Sequence, residues 1–216
     1  MLQQFLLVAG AHFLALLSPG PDFFLILRYA IALGRGPAAL VSLGIGLANG
    51  LFILLAMGGL MALDAEAGLF IAVQWAGGVF LLYMGIQFIR QAGQTRLEAG
   101  SHREAEAPAS TAPGALLAGL ASGLLNPKNA LFYASLFAVL HARSTPAGVQ
   151  SLYALWMIAV VLGWDLLVGH LVGHPVLIRR FGHGLRHIER LAGALLILLG
   201  LGIIAARLDP GLLAAF

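Results

Sequence analysis

Two short stretches place charge next to residues that break helices. Ser18, Pro19, Gly20, Pro21 and Asp22 read "SPGPD"; Asn126, Pro127, Lys128 and Asn129 read "NPKN". A proline has no N–H, and its ring crowds the carbonyl four residues back. Gly20 adds backbone freedom between two prolines. A helix entering the first stretch should kink or open there, leaving carbonyls of Ala15, Leu16 or Leu17 without helical partners. Inside hydrocarbon such groups need water, a side chain or a ligand, and Ser18 can satisfy one locally. Asp22 and Lys128 add opposite charges, each costing roughly 2.5–3.5 kcal/mol at the centre of an isolated membrane helix. If the two breaks face each other, a zwitterion fits between them. Its ammonium would sit at Asp22, and its carboxylate at Lys128 or on freed N–H groups. The same pair also fits a purely structural salt bridge, or an Asp22 that lies near the membrane surface.

A third charge stands apart. Asp165, in "VLGWDLLVGH", has no basic residue within a helical turn. A carboxyl without an ionic partner in a low-dielectric site can take up and release a proton as its access changes. The competing reading is a carboxyl permanently hydrogen-bonded to Asn49 or to another helix. The histidines carry less. His170 and His174, and His183 and His187, are spaced four apart, but the zinc-protease pattern is missing, so they read as interfacial. His12 reads as a packed or interfacial residue, and no metal or cofactor is expected.

The elements that must hold these residues are set by composition. The chain has 216 residues, 60% hydrophobic and only 10% charged, against roughly 25% charged in soluble domains. Its mean hydropathy is +0.94. It therefore reads as an integral membrane protein. The absence of cysteine excludes disulfides, thiolate catalysis and Cys-bound metal. The pI near 9.8 does not imply nucleic acid, because the basic residues fall in short loops between apolar runs. Six runs approach the 20 or so residues that span a bilayer: Leu2–Leu27, Ala38–Leu63, Gly68–Ile89, Gly114–Leu140, Ala147–Gly173 and Leu191–Ala206. The first lacks a basic leader and exceeds a signal h-region, so it reads as a retained spanning helix. Arg190 and Arg207 flank the short last run and can snorkel to the interfaces. Residues 91–113 are polar and rich in Ala, Gly, Pro and Ser, as in a flexible cytoplasmic linker.

The halves on either side of that linker resemble each other. "LLSPGPDFF" from Leu16 matches "LLNPKNALF" from Leu124, with Pro19 opposite Pro127. "ANGLF" around Asn49 matches "GWDLL" around Asp165, and "WAGGVFLL" from Trp75 matches "LAGALLIL" from Leu191. Three spans per half is an odd number, so the second half must enter the membrane from the other side. The expected fold is thus all-α, six transmembrane helices as two inverted three-helix repeats (1–90 and 114–216) in one domain. Such repeats place substrate at their interface, on helices broken at corresponding points. Asn49 joins the expected substrate set through its match to Asp165. Gly46, Gly50, Gly77, Gly85 and Gly193 read as close-packing faces.

Arg28 and Arg35, then Arg90, Arg96 and Arg103, then Arg179, Arg180, Arg186 and Arg190 fall on one side of the expected spans. Only Arg143 and Arg207 fall on the other. The positive-inside rule makes the first side cytoplasmic and puts both termini outside.

"SPGPDF", "WAGGVFLLYMGI" and "GLLNPKNALFY" together resemble the LysE/RhtB family of amino-acid exporters, over nearly the whole chain. The resemblance implies export of amino acids from the bacterial cytoplasm, driven by the proton-motive force. It carries Ser18 to Asp22, then Gly77, Tyr83 and Gly85, then Asn126 to Lys128 as motif residues. "SPGPDF" is similar to the homoserine/threonine-type branch. Two membrane carboxylates with a lysine nearby suit a neutral substrate better than a dibasic one. Export of basic amino acids or of a divalent metal are the nearer alternatives, and an intramembrane enzyme a distant one, since Ser18 has no histidine at useful spacing. The expected partners are an amino acid, protons and the lipid bilayer, with room for a homodimer and no role for nucleic acid.

Overall fold

A computed structural model of the chain describes residues 2–17, 20–61, 68–93, 111–171 and 175–208. Ser18, Pro19 and His174 lie outside them. The regular elements among the described residues are eight helices: α1 (Leu2–Leu17), α2 (Pro21–Ala32), α3 (Arg35–Met61), α4 (Gly68–Gln91), α5 (Ala112–Leu125), α6 (Pro127–Ala142), α7 (Ala147–Leu171) and α8 (Pro175–Leu208). α3, α4 and α7 are each long and apolar enough to cross a bilayer. α1 and α2 qualify together, as one span bent by 50°.

The helices that follow the two breaks both start with proline at the first position. Gly20 is the extended N-cap of α2, with Pro21 at its first position. Asn126 ends α5 and caps α6, with Pro127 at its first position. Proline is well placed there, because the first helical N–H has no intrahelical partner to lose. These starts align Pro21 with Pro127, where the sequence pattern paired Pro19 with Pro127. Asp22 and Lys128 each occupy the second position of their helix.

The last expected span is where the structure departs most from the sequence reading. The run Leu191–Ala206 is only the second half of α8, a helix of 34 residues. At 1.5 Å per residue it is about 51 Å long, well beyond a hydrocarbon core of about 30 Å. The segment read as a basic loop, with Arg179, Arg180, Arg186 and Arg190, is therefore helical. Its polar residues hide the helix from a search for apolar runs. Of the expected linker, Ala92 and Gly93 form a turn after α4 and Thr111 caps α5, its Oγ1 accepting from the Gly114 N–H at 3.2 Å. Gly93 takes a left-handed φ of +83°, and its N–H donates to the buried Glu189 carboxylate of α8 at 2.9 Å.

Small residues bring the helices together. α3 runs antiparallel to α7: Gly46 faces Leu162, Gly50 faces Ile158, and Gly169 faces Ala38 and Ser42. α3 runs parallel to α5, with Gly119 against the Val41 backbone and Gly123 against Ala48. α4 and α8 cross antiparallel at two reciprocal contacts. A Cβ at Gly85 would lie 2.5 Å from the Gly193 carbonyl, and one at Gly193 would lie 2.6 Å from the Gly85 carbonyl. A Cβ at Gly200 would likewise lie 2.7 Å from the Gly78 carbonyl. Gly78 thus meets Gly200, and Gly85 meets Gly193. Gly77 packs instead on Ser135 of α6.

Two apolar clusters form the interior. One gathers Phe132, Leu136, Phe137, Leu81, Met157 and Leu196; the other gathers Ile26, Val41, Ile45 and Val168. The opposite face of α3 turns Leu43, Leu47, Leu54 and Leu55 outward. In lipid such leucines need no protein cover, since acyl chains are as apolar as they are.

Candidate functional site

A cavity of about 50 Å³ opens between the two breaks. It is lined by residues of both apolar clusters and by most of the chemistry-bearing residues expected from sequence: Gly20, Asp22, Asn49, Asn126, Lys128, Asn129 and Asp165. α1 and α2 contribute one wall, α6 a second, and α3 and α7 the rest. The cavity also takes in His12, Tyr133 and Trp164.

Asp22 is held by the second half of the chain. Ser122 Oγ donates to its Oδ1 at 2.6 Å, while Asn126 Nδ2 and Asn129 Nδ2 donate to its Oδ2 at 3.0 and 2.9 Å. The carboxylate also lies in the first turn of α2, where the helix dipole favours negative charge. Asn126 is bifunctional. Its Oδ1 accepts from the Lys128 backbone N–H at 3.1 Å, capping α6, while its Nδ2 reaches Asp22. Ser122 escaped the sequence reading. Its only signal was its place one turn before Asn126, on the face of α5 that meets the break.

Lys128 reaches the other way. Its Nζ donates to the Ala15 carbonyl at 3.1 Å. Ala15 is the residue whose helical partner would be the N–H that Pro19 lacks. The ammonium also lies 5.2 Å from the centre of the Phe88 ring, a cation–π distance. A cation in the first turn of a helix opposes the dipole, so α6 gains nothing from Lys128 as a helix former.

Asp165 is buried on α7, and its Oδ2 has no hydrogen-bond partner. Asn49 does not supply one: its amide donates to the Ile45 carbonyl of its own helix at 2.9 Å. The Asp165 backbone is fixed by Ser42, whose hydroxyl lies 3.0 Å from the Ala38 carbonyl and 3.1 Å from that of Asp165. An unpartnered buried carboxyl oxygen is costly, and here it borders a polar cavity.

His12 is also buried beside the cavity, the packed of its two expected placements, and it lines the cavity. Tyr83, by contrast, is 56% exposed on α4, away from the cavity lining. His170 is exposed at the end of α7, and His187 is exposed on α8. Among the described residues, no three His, Asp or Glu side chains group as a metal site would require.

The LysE type translocator family model matches residues 13–207. The chain belongs to that family, and its apolar helices are those of a membrane transporter. It is 30% identical to the threonine efflux protein of Escherichia coli K12 over 210 residues, covering 96% of this chain and all of that protein. It is 31% identical to the threonine efflux protein of Salmonella typhi over 209 residues, with the same coverage. A leucine efflux protein of Klebsiella pneumoniae is 31% identical over 133 residues, 60% of this chain and 59% of that one. No solved structure matches the chain.

Proposed function

We propose that the chain exports a neutral amino acid, of the threonine or homoserine kind, from the bacterial cytoplasm across the inner membrane in exchange for protons. The observation that carries this reading is the cavity between two matched helix breaks, with Lys128 and Asp165 on its walls. A zwitterion needs one cationic and one anionic group at a distance, and a mid-membrane polar cavity that supplies both suits it. The substrate carboxylate would lie at Lys128 and the first turn of α6. Asp22, with three side-chain donors on its carboxylate, holds the two breaks together and shapes the ammonium end of the site. Asp165 offers the unpartnered oxygen and is the group proposed to carry the proton. The efflux proteins among the relatives, by their names, act on threonine and leucine, which fits a zwitterion site with a variable side-chain pocket.

The inverted repeat is part of the proposal. The antiparallel crossing of α4 with α8 and of α3 with α7, and the parallel run of α3 with α5, are the directions that six alternating spans require. The reciprocal glycine contacts fit a pseudo-two-fold axis, and α5 with α6 would be the partner of the bent α1–α2 span. Loops after the first, third and fifth spans would face the cytoplasm, with both termini outside. A cavity of about 50 Å³ is far below the 300 Å³ or more of a loaded ligand pocket. The walls must therefore part to admit substrate, as alternating access demands.

The test is export by purified protein in liposomes, against a panel of neutral and basic amino acids, with and without a pH gradient. Gradient-driven movement of neutral amino acids supports the reading. Movement of basic ones alone, or of none, rejects it.

A further inference from the structure

The export reading gives His12 no role, yet it is built into the cavity wall. Its ring is fenced by three aromatic side chains, with centroids 6.3 Å from Phe132, 5.9 Å from Tyr133 and 5.6 Å from Trp156. Its Nε2 lies 3.4 Å from the Tyr133 hydroxyl, 121 residues away in sequence. Its Nδ1 is buried with no hydrogen-bond partner. His12 is 1% exposed and Tyr133 is 2% exposed, and both line the cavity.

We infer that His12, positioned by Tyr133, reads the side chain of the substrate and selects one that carries a hydroxyl. The inference rests on the amino-acid export reading above and deepens it. A neutral imidazole has one N–H and one bare nitrogen. If Nε2 donates to Tyr133, Nδ1 is an acceptor; if Nε2 accepts, Nδ1 is a donor. A hydroxyl satisfies either form, because it both donates and accepts. An apolar side chain satisfies neither and leaves the buried nitrogen unpaired. A site built to bond a hydroxyl therefore rejects the isostere lacking it far more strongly than an apolar pocket rejects an added hydroxyl. Ile45, Phe132 and Val161, which also line the cavity, accommodate the carbon skeleton. The aromatic fence keeps the imidazole from turning toward another partner.

Threonine and valine are the informative pair, because they differ only in a hydroxyl replaced by a methyl. Initial export rates of each are measured in liposomes for the wild type, His12→Leu, His12→Gln and Tyr133→Phe. The wild type should prefer threonine by about tenfold or more. His12→Leu should bring the ratio close to one, chiefly by slowing threonine. Tyr133→Phe keeps the aromatic fence and should lower the ratio several-fold, providing the same readout should His12→Leu fail to reach the membrane. His12→Gln, which keeps a donor and an acceptor, should retain more of the preference than His12→Leu. Equal handling of threonine and valine by the wild type overturns the inference. So do variants that slow both substrates alike. If amino acids move without regard to the hydroxyl, the export reading stands and this one falls. If none moves, the export reading falls and takes this one with it.

Discussion

Lys128 Nζ donates to the Ala15 carbonyl across 3.1 Å, joining the start of α6 to the end of α1. The contact repairs one break with a residue from the other. An unpaired carbonyl in hydrocarbon is costly, and a lysine in the same medium is too, so each offsets the other. A substrate carboxylate that drew the ammonium away would release that carbonyl. On the proposed export reading, binding and the geometry of the first break would thereby be coupled.

Lys128→Gln should lower export about tenfold or more, the worth of one hydrogen bond to a charged group, about 1.5–3 kcal/mol. Liposome export alongside the amount of folded protein in the membrane checks it. Normal export by this variant would remove Lys128 from the site.

Asp22→Asn turns one of two acceptor oxygens into a donor facing Ser122, Asn126 or Asn129. Export should be abolished while folded protein remains in the membrane. Thermal unfolding in detergent should show a loss of roughly 2–3 kcal/mol, in the range of one hydrogen bond to a charged group. A variant as stable and active as the wild type would show that the three donors do not depend on the carboxylate.

Asp165→Asn should spare exchange of substrate between equal pools and stop export driven by a pH gradient. An amide can still bond to a ligand but carries no proton in exchange. Paired counterflow and gradient-driven assays separate these outcomes. Unchanged gradient-driven export would reject Asp165 as the proton carrier.

Gly85→Ala should destabilise by about 1–3 kcal/mol, the usual cost of overpacking, because the new methyl meets the Gly193 backbone carbonyl, which cannot yield as a side chain tip would. Gly163→Ala is the control. That glycine is exposed within α7 with nothing near its Cβ position, so alanine should be neutral or stabilising by up to about 1 kcal/mol. Melting of both variants in detergent checks the contrast.

The breaks were legible because proline chemistry is local: Pro21 and Pro127 announce a helix start without reference to any neighbour. Matching the two halves set Asp22 and Lys128 toward one site, whereas Asp165 was singled out only as a carboxyl with no basic neighbour; that all three line one cavity needed the three-dimensional packing. What the sequence concealed depends on three-dimensional partners. Ser122 and His12 carry no local mark, since a serine or histidine in an apolar run reads the same whether it faces a cavity or a packed wall. Leucine and alanine recur too often for sequence alone to fix a register between the two halves, whereas helix caps and backbone contacts are particular to their positions. The basic half of α8 was read as loop because its arginines interrupt apolarity without interrupting helix formation.

The α4–α8 crossing has a mechanical consequence. Backbone presses on backbone at Gly78 with Gly200 and at Gly85 with Gly193, both pairs seven residues apart. Shifting the contact by one residue along α8 would set Ala192 or Ala194, and Leu199 or Leu201, against carbonyls that now meet only hydrogen. Two such contacts about 10 Å apart along the helix fix the crossing at two points, so the seam resists pivoting as well as sliding. A change of shape that opens the cavity would then carry α4 and α8 as one body.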